Sequence, residues 1–225
     1  MKTLILLFLS LYLCLPSFAQ RRSARPNQGK IKITNSSPIK ISWLKELKGD
    51  FSFRHKWEYP EGVFRNSYGQ VTCDGFCPDE VHDMFDIKGK IKKDSLKSFY
   101  KFVDTSHIPH SLSSTAWCYE WAGTDFIEAS RKSGDTVFLA SQLNEGTHCS
   151  LELSFIKDTC YAVINLVSVV SGGSALFYCT DGYITLDKTF WAKGIIKAIF
   201  SFNFKNDEDP KTPIFWKGKI YAKIK

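Results

Sequence analysis

Apolar side chains recur at every second position along one stretch of this chain after another, and no other feature limits the fold as severely. A period of two places neighbours on opposite faces of a β-strand, whereas a helix needs a spacing of three and four. Residues 114–127 carry the bulkiest version. Trp117, Tyr119 and Trp121 share one face, Ala116, Cys118, Glu120 and Ala122 the other, and Gly123-Thr124-Asp125 supplies a turn. Large aromatic side chains dominate cores, so this reads as a central strand with its aromatic face packed inward rather than as a sugar-stacking platform. Residues 51–59 alternate as cleanly, with Phe51, Phe53, His55, Trp57 and Tyr59 on the inner face and Ser52, Arg54, Lys56 and Glu58 on the outer. His55 is then a core or rim histidine rather than a ligand.

The same period predicts strands over 30–34 and 39–43 around the Asn35-Ser36-Ser37-Pro38 break, and a run of hairpins over 125–131, 136–140, 149–155, 160–166, 175–179 and 183–186. Asp181-Gly182 is a two-residue hairpin signal between the last two of these. Residues 187–194 allow one helical turn stopped by Gly194. Two long strands close the chain. In the first, Ile196, Ala198, Phe200, Phe202 and Phe204 face inward; in the second, Ile214, Trp216, Ile220, Ala222 and Ile224 do, against outward Lys217, Lys219 and Lys223 that suit an edge strand. Only residues 94–103 read as a helix, with Asp94 as cap and Leu96, Phe99, Tyr100 and Val103 on one face. The fold class is therefore mainly β, an antiparallel β-sandwich or open barrel with one short α-helix and a loop-rich insertion over 60–93. The Phe200-Ser201-Phe202 strand, the acidic loop at 206–213 and the closing strand containing Gly218 resemble the ends of small exported β-sandwich proteins of unknown function from Gram-negative bacteria. That resemblance implies export and carries no catalytic motif.

The first residues agree with it. Lys2, an apolar run over 4–13 and Ser17-Phe18-Ala19 form a cleavable signal peptide at 1–19, and no later run approaches the ~20 apolar residues of a spanning helix. The destination is the periplasm or the exterior, with no transmembrane segment in the mature chain. Residues 20–29 form a basic leader, poor in apolar side chains and expected to be disordered, and 30–225 a single β-rich domain. The formal net charge of +7 concentrates at the two ends, which with export argues against nucleic acid as a partner. Beyond the signal, Cys73, Cys77, Cys118, Cys149, Cys160 and Cys179 form an even set in an oxidising compartment and are expected as disulfides. Only Cys73 with Cys77 follows from spacing, and it is preferred to a metal knuckle with Asp74, Asp79 and His82; the other four pair among themselves.

No Gly-x-Ser-x-Gly elbow, His-Glu-x-x-His, phosphate-binding loop or dinucleotide fingerprint is present. A non-enzymatic exported protein with a binding or structural role is the expected function; an exported hydrolase using carboxylates or histidines near the aromatic strand is the alternative. Its candidates are His107, His110, Glu120, Asp125 and His148, with a Cys118 or Cys149 thiolate conceivable only if reduced. Long loops on a rigid sheet carry recognition, so the expected contact surface is the insertion together with 107–110, its residues Tyr59, Phe64, Tyr68, Phe76, His107 and His110. An envelope protein or carbohydrate is the expected partner, and no cofactor or metal is expected.

Overall fold

The alternating stretches pair into a nine-stranded sheet in the computed structural model, which describes residues 35–74, 77–132 and 134–225. The expected signal peptide, basic leader and first strand at 30–34, and Phe76, lie outside the described residues. In chain order the strands are β1 (Ile39–Leu44), β2 (Trp57–Glu58), β3 (Val63–Arg65), β4 (Val71–Cys73), β5 (Ile108–Pro109), β6 (Leu112–Trp117), β7 (Ile127–Arg131), β8 (Thr136–Ser141), β9 (Cys149–Ile156), β10 (Thr159–Val167), β11 (Ser174–Asp187), β12 (Ile195–Phe204) and β13 (Ile214–Lys223). Helix α1 (Leu96–Phe102) precedes β5, and α2 (Lys188–Trp191) follows β11.

The large sheet runs β6-β13-β12-β11-β1-β10-β9-β8-β7, and every pairing in it is antiparallel except β1 with β11. It curls until its ends nearly meet. Arg131 N donates to Lys225 O at 3.1 Å and Lys225 N to Ala129 O at 2.9 Å, so the chain beyond β13 reaches β7 and draws the sheet into a barrel. The inward set of each strand fills the interior, with Leu139, Leu151, Leu153, Phe155, Ile164, Phe200, Phe202 and Trp216 essentially inaccessible. A second cluster forms in the insertion, where Phe99 of α1 packs on Val81, Ile91 and Val103 beside the Cys73–Cys77 bridge. A third lies on the outer side of β12 and β13, where Leu47, Phe51 and Phe53 cover Ile199 and Tyr221.

Five expectations are corrected. Residues 52–55 form a 3-10 turn and not a strand, because Asp50 Oδ1 accepts Ser52 N at 2.8 Å and the next bonds, Arg54 N to Phe51 O and Lys56 N to Phe53 O, are local. Phe51 and Phe53 are buried there, while His55 and Trp57 are exposed. The stretch at 114–127 is an edge and not the centre: β6 stops at Trp117, and its small face, Leu112, Ala116 and Cys118, is the buried one, leaving Trp117 41% exposed. β13 is interior to the sheet, between β12 and β6, its outward lysines being the solvent face of a paired strand. Asp181-Gly182 makes a bulge in one continuous strand, since Cys179 pairs with Phe204 and Asp181 with Asn203, which keeps β11 on β12 throughout.

The fifth correction concerns Cys160 and Cys179, which are buried free thiols beside a second bridge, Cys118–Cys149. Around them the pairing of β10 with β11 is interrupted by β1. β10 and β11 pair directly from Val163 and Tyr178 outward, and at that point the N-terminal chain enters between them. Ser36 Oγ donates to Ala162 O at 2.6 Å and accepts from Cys179 N at 3.2 Å, standing where a direct ladder bond would otherwise run.

Candidate functional site

Two dipeptides, Trp57-Glu58 and Ile108-Pro109, pair as a separate two-stranded ribbon, with Trp57 opposite Pro109 and Glu58 opposite Ile108. Pro109 and Pro60 explain its brevity, since neither ring nitrogen can donate to a ladder. The next residue, His110, donates its backbone N–H to Lys56 O at 3.0 Å, and Ser111 and Leu112 donate theirs to Asp125 O at 3.0 and 2.9 Å. Backbone bonding thus brings Glu58, His110 and Asp125 from three parts of the chain to one place. Glu58 Oε1 lies 2.8 Å from His110 Nε2, and Asp125 Oδ2 lies 3.7 Å from His110 Nδ1. Both carboxylates are about half exposed, at 53% and 51%, while the imidazole side chain is only 10% exposed and meets Phe126 edge-on at 5.3 Å.

His110 is also part of the wall of a cleft of about 540 Å3. Ile108, Phe126 and Ala222 give it apolar surface, and Arg54, Gln142 and Glu128 place hydrogen-bonding groups around it. Ile108 and Pro109 of the ribbon line the cleft, and the ribbon also displays aromatic rings. Trp57 is 47% exposed, its ring 4.6 Å from His107 and 5.2 Å from Tyr59 between centroids. Arg65 Nη2 donates to the Tyr59 hydroxyl at 2.8 Å and so joins the β3–β4 hairpin to this ridge.

The expected residues therefore divide. His107, His110 and Tyr59 assemble around the ribbon. Phe64 and Tyr68 are exposed on and beyond β3, with Lys90 Nζ 5.6 Å from the Tyr68 ring centre, and no described contact takes them to the ribbon. The five catalytic candidates do not form one group either. Glu120 is engaged elsewhere: its carboxylate accepts from Ser168 Oγ and from Val169 N, the latter at 3.0 Å, and His148 Nδ1 stands 3.8 Å away. The Ser168 bond first, then that from Val169, holds its pKa below the usual value against the opposing effect of desolvation. Glu120 anchors the turn after β10 and is poorly disposed to take a proton. Cys118 and Cys149 are bonded to each other, and Cys160 and Cys179 are buried with raised pKa, so none of the four offers a thiolate.

Sequence reasoning missed Glu58 and Trp57. Both were assigned to a nine-residue alternation, Trp57 inward, and the proline after Tyr59 was the one sign that pairing would be short. No protein-family model, curated protein or solved structure matches the chain.

Proposed function

We propose that this is an exported, non-enzymatic carbohydrate-binding protein whose glycan lies across the ribbon of β2 and β5 and into the cleft behind it. The observation that carries the reading is Trp57: a large indole left half exposed, flanked by Tyr59 and His107 and paired with Pro109, which together with Ile108 lines a cleft with apolar walls and a few polar groups. Sugars present flat C–H faces to aromatic rings and hydroxyls to carboxylate, amide and guanidinium groups, and this surface supplies both. Export is supported by the signal-like first residues and by two disulfides in the described chain. Among the described residues no helix is long and apolar enough to cross a membrane. The scattering of Glu120 and His148 away from Asp125 and His110 favours binding over hydrolysis.

The test is titration of the purified protein with a panel of bacterial cell-envelope and plant oligosaccharides, followed by intrinsic tryptophan fluorescence. A saturable signal from at least one glycan is expected, weakened about tenfold or more in Trp57→Ala, a loss of ~1.4 kcal/mol, and unchanged in Phe64→Ala. Absence of binding by the native protein to every glycan, or equal binding by Trp57→Ala, overturns the reading.

A further inference from the structure

We propose that Glu58, His110 and Asp125 form a binding site for one divalent transition-metal ion of the zinc type. Each of the three offers one ligand atom, and those atoms all lie within 4.8 Å of one another. Ligands that share a zinc ion at ~2.0–2.2 Å stand about 3.3 Å apart when tetrahedral, so modest rotation of the two half-exposed carboxylates closes the set.

The imidazole provides the second, independent observation. His110 is 9% exposed as a residue, yet its Nε2 has no hydrogen-bond partner. Glu58 Oε1 comes within 2.8 Å of that nitrogen as an ion-pair contact but makes no hydrogen bond to it. A buried polar atom without a partner is costly, and here the orphan Nε2 stands beside Glu58 while Asp125 stands 3.7 Å from Nδ1 of the same ring, so a cation held by the imidazole would have a carboxylate on either side of it within reach. The three side chains carry two negative charges between them when the imidazole is neutral, which a divalent ion offsets. Imidazole with carboxylates suits zinc, whereas magnesium and calcium prefer oxygen alone.

The surroundings hold the ligands in place. Ladder pairing fixes Glu58 opposite Ile108, the His110 backbone is bonded to Lys56, and the Asp125 carbonyl accepts two N–H groups from the start of β6. Phe126 packs edge-on against the imidazole and limits its rotation. Three protein ligands leave at least one coordination position open. Bound metal would tie the ribbon to the barrel where β6 and β7 begin, which goes beyond glycan binding and does not depend on it.

The experiment uses the disulfide-intact protein freed of metal by chelation, with Zn2+ alone as the probe, measured by isothermal titration calorimetry and native mass spectrometry. One Zn2+ per chain is expected, with a rise in Tm on addition. Affinity should fall about tenfold or more in Glu58→Gln and in Asp125→Asn, both of which alter half-exposed side chains and so leave folding intact, and binding should disappear in His110→Ala. His82→Ala, which removes an exposed imidazole 3.8 Å from Asp79, should leave the affinity unchanged. No stoichiometric Zn2+ in the native protein, or binding that survives both carboxylate substitutions, or binding that depends on His82 instead, overturns the proposal. A failure of glycan binding with these results intact leaves the metal site standing, and the converse holds for the glycan.

Discussion

Asp187 shows how much one side chain can hold together. It is 1% exposed, caps α2 by accepting from Thr189 N and Phe190 N at 2.9 and 3.1 Å, accepts from Leu47 N at 2.8 Å, and lies 3.5 Å from Lys197 Nζ. Desolvation raises its pKa, but the bonds from Leu47 and Phe190 and the Lys197 charge outweigh it and the net shift is downward. A folded-state pKa below the unfolded value of about 3.9 means the stabilisation is whole above that pH and is lost as pH falls through the lower folded value. Thermal melts should therefore show the wild type losing Tm below about pH 4 more steeply than Asp187→Asn, which at neutral pH should be less stable by ~1.5–3 kcal/mol. Gly218 makes a steric prediction. A Cβ there would stand 2.7 Å from Ser114 Cα on the neighbouring β6, so Gly218→Ala should cost about 1–3 kcal/mol, read as a shifted urea midpoint. An equal midpoint would mean that β6 moves aside freely. The Asp187 cap was half legible, since an acid before a short helical turn is a cap signal, but Leu47 was not, because a contact across that sequence distance leaves no periodic trace.

At the scale of elements, period two located the barrel strands well wherever a strand is paired on both sides and buried on one face, as in β12 and β13. It failed where a local bond was available instead. Asp50 diverts Ser52–His55 into a 3-10 turn while still burying Phe51 and Phe53, so alternate burial survived without a strand. It was blind to neighbour order as well: lysines on the outer face of β13 look the same beside β6 as they would at an edge. The candidate site was legible only in pieces. His107, His110 and Asp125 stood out as residues, but Glu58 and Asp125 are brought to His110 by backbone pairing, which spacing does not encode. The wedge of β1 makes the thiols a test. Burial pushes the Cys160 thiol well up and that of Cys179 to about 12, in each case chiefly by desolvation. Alkylation of the native protein at pH 8 should label neither, and alkylation after denaturation without reductant should label both. Recovery of a Cys160–Cys179 disulfide peptide would overturn the assignment of both as free thiols.

Across the whole molecule the two bridges act on different scales. Cys118–Cys149 spans a sequence separation of 31 and Cys73–Cys77 one of 4, so restriction of the unfolded chain makes the first worth about 3–4 kcal/mol and the second about 2. Replacing the first pair by alanine should lower the denaturation midpoint clearly more than replacing the second; an equal loss would place the stabilisation in the insertion. The wedge itself has a kinetic meaning. Its bonds join Ser36 to Ala162 and Cys179, 126 and 143 residues further on, so the first described strand can find its place only after two of the later ones have been made. The hairpin of β10 and β11 can form early from neighbouring chain, but the gap it leaves must wait for β1, and loop closure over so long a distance is slow. A polypeptide built this way emerges from synthesis unable to complete itself until most of it exists.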